Sequence, residues 1–247
     1  MKEVVGDRPI AGARRLTLLA LLAWFGAAAG AGALGLVNQP GRPPLALLGF
    51  LAVPALGFAT AYKTSASFRA FTETIPLAVL VGSHLWRFVG LGFVLAWRAG
   101  ALPAGFGIPE GFGDILAAAG ALALLPSIRR GRTPRGWLLA WNTFGLIDLL
   151  SAIAVGILYS QGPLGLLGTP SSNTALMITF PVSLIPTFFV PLFLLVHVLT
   201  FQRIPPPGVE SMLYTDALHG PSPETGISGR RVSRDGAGSR ANADFPG

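Results

Sequence analysis

Five ionisable residues of this chain lie inside stretches that are otherwise almost wholly apolar: His84, Arg87, Asp114, Asp148 and His197. At the centre of a bilayer each such charge costs roughly 2.5–3.5 kcal/mol on insertion scales, so it needs a partner or a task. Arg87 and Asp148 are opposite in sign, and each lies 11 residues beyond the start of its apolar segment, at Pro76 and Trp137. At 1.5 Å per residue both then sit about 16 Å deep. An Arg87–Asp148 pair joining the third and fifth segments is therefore expected, either as a clasp or as part of a polar pathway. His84 precedes Arg87 by one turn and shares its face. Asn142, Gly145, Asp148 and Ser151 recur at intervals of three, a narrow stripe suited to close packing and interhelical hydrogen bonds. The intramembrane polar core is read as His84, Arg87, Asp114, Asn142 and Asp148.

The fourth apolar segment opens Ile108-Pro109-Glu110-Gly111-Phe112-Gly113-Asp114. Proline and an acid at a helix start complement the macrodipole, which accounts for Glu110. Asp114 is expected roughly 8–10 Å below the surface, deeper than a start signal requires. The last segment carries Pro181, Pro186 and Pro191, each of which frees a carbonyl and kinks a helix. Pro186 and Pro191, with His197, are the candidate ligand or gating positions, although His197 is expected near the cytoplasmic end of its helix. No residue is assigned a catalytic or metal-binding role. Two imidazoles in the inner half, at depths several Å apart, and the absence of cysteine offer little to a haem or metal ion, and no cofactor is expected.

Gly111-Phe112-Gly113-Asp114 resembles the Gly-x-Gly-Asp motif of intramembrane aspartyl proteases such as presenilins and prepilin peptidases. That resemblance implies a second membrane carboxylate sharing a proton to activate water, with Asp148 in that place. The sequence departs from the pattern, because Asp148 follows the motif where the family's other aspartate precedes it. The Pro-Ala-Leu tripeptide also stands upstream, at Pro54-Ala55-Leu56. A phosphate-cradling glycine loop, a Ser-His-Asp arrangement and a His-Glu-x-x-His sequence are all absent.

The elements that must hold these residues are six apolar segments near the ~20 residues that cross ~30 Å of hydrocarbon, about 16–37, 44–62, 76–97, 109–125, 137–159 and 177–201. The fold class is all-α, a polytopic transmembrane helix bundle. Only 12% of the chain is charged and 51% is hydrophobic, which excludes an ordinary soluble domain. The net charge of +7 does not mark a nucleic-acid surface, because the cations flank apolar segments instead of gathering on one face. With the N-terminus inside, fifteen of the 18 Lys and Arg fall on the cytoplasmic side, two (Arg42 and Arg98) fall outside, and Arg87 lies within. This is the positive-inside pattern, and it places both ends in the cytoplasm. The first segment follows Arg14-Arg15 as a signal peptide would, but its length of about 22 residues exceeds a signal core and it reads as a span. Residues 202–247, opening on Pro205-Pro206-Pro207, read as a disordered cytoplasmic tail.

Leu102-Pro103 through Gly113-Asp114, Trp141-Asn142 through Asp148 and Ile185-Pro186 through His197 resemble a family of small bacterial multipass (six-helix) integral membrane proteins with no assigned function. The expected location is thus a bacterial inner membrane. The expected function is non-enzymatic: binding or passing a small solute or proton at the polar core. Its rival is a structural or accessory subunit with a buried Arg–Asp clasp. The partners these readings imply are the lipid bilayer, a small solute or proton, and a second membrane protein, with no nucleic acid.

Overall fold

The structure, a computed structural model, describes residues 6–204. The expected tail from residue 205 onward, and the first five residues, lie outside that range. Eight α-helices run in order: α1 (Asp7–Ala33), α2 (Leu45–Thr64), α3 (Ala66–Thr74), α4 (Leu77–Ser83), α5 (Gly90–Arg98), α6 (Ala104–Arg129), α7 (Arg135–Leu158) and α8 (Val190–Arg203). A 3₁₀ segment, His84–Val89, joins α4 to α5, and a π-helical turn, Ile185–Phe189, leads into α8. Among the described residues, six stretches are long and apolar enough to cross a membrane: α1, α2, Leu77–Arg98, α6, α7 and Ile185–Arg203.

Proline sets the starts. Pro44, Pro76, Pro103 and Pro134 stand immediately before α2, α4, α6 and α7. There a missing N–H costs nothing, because the first donors of a helix have no partner in it. Glycine sets two of the ends. Gly100, after α5, and Gly131, after α6, take φ of 74° and 64°, a left-handed conformation that few other residues tolerate.

Three segments differ from their sequence-based bounds, the later two through proline. The first, expected over 16–37, is helical over Asp7–Ala33. The fourth, expected from Pro109 to Leu125, is a 26-residue helix that begins just after Pro103, with Pro109 and Pro126 inside it. The last, expected to be helical from Met177, holds a short 3₁₀ helix, Ala175–Ile178, and becomes continuously helical only from residue 184. Residues 179–183 turn instead, and Pro181 lies in that turn. Pro191 lacks the N–H that would bond the carbonyl four residues earlier, that of Thr187. The indole of Trp24 on α1 takes its place, donating to the Thr187 carbonyl at 3.0 Å while its ring meets Phe188 edge-on at 4.8 Å. α1 is thereby fastened to the kinked segment.

α6 lies among α4, α5, α7 and the 3₁₀ segment. Its approach to α5 is backbone-close. A Cβ on Gly90 would lie 2.6 Å from the Gly111 carbonyl oxygen, and one on Gly107 3.1 Å from that of Phe93. Gly107 and Gly111 share the small-xxx-small spacing by which membrane helices pack. Two apolar clusters fill opposite ends of the bundle. Val81, Ala121, Leu125, Leu138 and Trp141 pack toward the end bearing the Arg129–Arg135 loop, and Phe93, Leu102, Phe106 and Met177 pack toward the other. Arg87, Asp114 and Asp148 lie between them along Leu77–Arg98, α6 and α7.

Replacing Trp24 by Phe should leave the Thr187 carbonyl unbonded in an apolar setting and lower stability by about 1–3 kcal/mol. Thermal unfolding in detergent reads this, and an unchanged midpoint would refute the role assigned to the indole.

Candidate functional site

The site is built around Arg87, whose side chain keeps 1% of its surface exposed. It sits in the 3₁₀ segment, where residues three apart eclipse one another, so His84 lies directly above it along the same face. Each guanidinium nitrogen has its own partner. Nε donates to Asp114 Oδ1 of α6 at 2.6 Å, Nη1 to the Gly145 carbonyl of α7 at 3.1 Å, and Nη2 to Asp148 Oδ2 of α7. Asp114 and Asp148 are both buried. One cation thus ties three successive stretches of the bundle.

A third carboxylate joins them. Glu110 lies one turn before Asp114 on the same face of α6, and only 2% of its surface is exposed. Both its oxygens accept from the Ser151 hydroxyl, at 3.0 and 3.2 Å. Its expected role as an acid at a helix start does not hold, because α6 begins at Ala104 and carries Glu110 inward. The i, i+4 spacing of Glu110 and Asp114 was the signal that could have shown them together.

The stripe of α7 supplies the other wall. Asn142 Nδ2 donates to the His197 carbonyl at 3.1 Å, and Asn142 Oδ1 lies 2.7 Å from His197 Nδ1. A Cβ on Gly145 would come within 2.6 Å of the His197 ring and 3.1 Å of Arg87 Nη1. Gly113 on α6 is similarly filled against, by the Asp148 carboxylate. Ser151 completes the series on Glu110.

His197, six residues before the end of α8, is wholly buried, with its ring 4.1 Å from that of His84 and 5.5 Å from Trp141. His84 also meets Trp141 and Phe193 at 5.2 and 5.1 Å. Both nitrogens of His84, and Nε2 of His197, lack a hydrogen-bond partner among the described residues. The two imidazoles are already in ring contact, which leaves no room for a haem between them. Pro186 and Pro191 shape the turn into α8, outside the charge cluster.

The Gly-x-Gly-Asp resemblance is not matched by a carboxylate pair sharing a proton. Arg87 bonds Asp114 and Asp148 with separate nitrogens and stands between the two acids.

A cavity of about 120 Å³ leads to the cluster from the end away from the Arg129–Arg135 loop. Its mouth is formed by Gln39, Arg42, Ser160 and Gln161, its walls by Phe93, Phe106, Leu149, Ala152 and Ile153, and Asp114 is the one carboxylate lining it.

A family model described as a domain of unknown function, DUF8737, matches residues 44–204. That stretch holds α2 through α8 and every residue of the cluster, while α1 precedes it. No curated protein and no solved structure matches the chain.

Gly145→Ala should force the His197 ring and Arg87 apart and cost about 1–3 kcal/mol. Gly92→Ala, where a Cβ meets nothing within 4 Å, should leave stability unchanged or raise it by up to about 1 kcal/mol. Thermal unfolding of the two variants checks the packing of the site; equal effects would contradict it.

Proposed function

We propose that this chain, which belongs to the family of the domain of unknown function DUF8737, is a multipass protein of a bacterial inner membrane that binds and passes a proton or small solute at the Arg87 cluster. Both ends lie in the cytoplasm on this reading, which the distribution of Lys and Arg supports.

The observation that carries the reading is the mismatch of charge. One guanidinium faces three buried carboxylates, Glu110, Asp114 and Asp148, and Glu110 is bonded to Ser151 rather than to Arg87. A core built only to hold helices together gains from a balanced pair and loses several kcal/mol for each charge left uncompensated. An acid beyond that pair suits a site that receives positive charge. The cavity ending at Asp114 supplies a route from the outer end. Past Arg87, the open nitrogens of His84 and His197 continue the polar line toward the cytoplasmic end. Intramembrane acids and histidines in series are the usual parts of a proton relay.

A structural or accessory subunit is the second reading. It is favoured by the full use of Arg87, whose three nitrogens each hold a separate partner.

Glu110→Gln separates the two, since it removes an acid that takes no part in the clasp. In proteoliposomes carrying a pH-sensitive dye, wild type should conduct protons above the protein-free rate. The variant should lose that flux by about 10²-fold or more, as proton-transfer groups do, with its thermal midpoint retained. Flux no greater than in empty vesicles would sink the proton reading, and an unaltered flux in the variant would remove Glu110 from it.

A further inference from the structure

The cavity that ends at Asp114 joins two unlike chemistries. Its walls are mostly carbon, from Phe93, Phe106, Leu149, Ala152 and Ile153, and they run between α2 and α7. At its inner end stands a single carboxylate, that of Asp114. Asp114 lies ten residues along α6 from Ala104, about 15 Å in at 1.5 Å per residue. The exposed Arg42 at the mouth is therefore too far away to meet the same small ligand.

That carboxylate is only half used. Its Oδ1 accepts from Arg87 Nε, and its Oδ2 accepts no hydrogen bond from the described residues. The side chain keeps 12% of its surface exposed, against 1% for Arg87. Behind it the cluster sets three carboxylates against one guanidinium, so the inner end attracts positive charge. A bare metal ion would give up its shell of oxygen ligands for one carboxylate and hydrocarbon walls. An anion would be repelled, and a neutral hydrocarbon would leave Oδ2 without a donor. An organic ammonium answers both chemistries, with an N–H for Oδ2 and carbon for the walls. The rings of Phe93 and Phe106 add attraction for a desolvated cation.

The size of the ligand follows from the volume. A cavity of roughly 150 Å³ lined by aliphatic and aromatic side chains admits benzene, and this one measures about 120 Å³. We propose that the cavity is a binding site for a small organic ammonium of about six carbons, its nitrogen at Asp114 and its carbons between α2 and α7. The proposal rests on the reading of the Arg87 cluster as a site that receives positive charge, and it names the solute such a site takes.

Benzylammonium, benzyl alcohol and benzoate share one size and shape and differ in charge. The full chain in detergent is titrated with each at pH 7, and binding is read as a saturable rise in thermal midpoint. Benzylammonium should bind about tenfold or more tightly than the alcohol, the contribution of a hydrogen bond between charged groups, and benzoate should give no rise. Asp114→Asn should bring benzylammonium down to the level of the alcohol. Ala152→Leu narrows the walls, leaves every residue of the cluster in place, and keeps the test open if loss of Asp114 unfolds the chain. It should weaken benzylammonium by about tenfold or more while the midpoint of the unliganded protein is retained. Equal binding of amine and alcohol by wild type, or undiminished binding in either folded variant, would overturn the proposal. Proton flux is read apart from this. Benzylammonium binding without flux would leave the site standing and fail the relay, whereas flux without binding would fail the site and leave the relay standing.

Discussion

A guanidinium at the middle of an apolar helix bundle must be answered from every side, and the sides of Arg87 are answered by separate helices. Asp114 comes from α6, and Asp148 and the Gly145 carbonyl come from α7. Those bonds fix how the Leu77–Arg98 stretch, α6 and α7 must lie. The glycines then follow as a consequence. Gly90 and Gly111 let α5 and α6 come close enough for Nε to reach Asp114, Gly113 leaves room for the Asp148 carboxylate, and Gly145 leaves room for His197. Apolar clusters pack at either end of the arrangement. In such a setting each hydrogen bond is strong and each missing one costly.

Much of this was written in the sequence, because long apolar segments make polar residues rare enough to be conspicuous. Arg87 and Asp148 reach equal depth by simple counting, and the structure joins them. The three-residue stripe of α7, from Asn142 to Ser151, points at one face, and each of its members meets the site. What counting could not give was the effect of the prolines. Pro109 was read as a beginning, so Glu110 became an ornament of a helix end. In fact Pro103 starts α6 and carries Glu110 beneath Ser151. The prolines of the last segment delay its continuous helix, and nothing in the spacing shows that His197 lies against His84 in the core. Depth estimates fail where the start of a helix is misjudged, because every later residue inherits the error.

The chain divides its tasks between two regions of unlike character. Residues 44–204, the part matched by the family model, contain the charge cluster and the cavity that leads to it. α1 lies ahead of that match and is joined to it through Trp24, whose indole completes the backbone that Pro191 leaves open. With α2 it frames an open apolar groove. The outer helices therefore present apolar surface while the inner ones enclose charge, and the kinked entrance to α8 is the element that touches both.

The claim on which the account turns is that Arg87 and Asp148 depend on one another inside the bundle. A double-mutant cycle with Arg87→Met and Asp148→Leu, read by unfolding of the full chain in lipid–detergent micelles, measures that dependence directly. Arg87→Met should strand two buried carboxylates and cost about 3–5 kcal/mol. Asp148→Leu should cost less, because Arg87 keeps its bond to Asp114, and the double change should cost clearly less than the sum of the two. Additive losses, with no recovery in the double variant, would mean that the two residues do not form the pair that organises the helices.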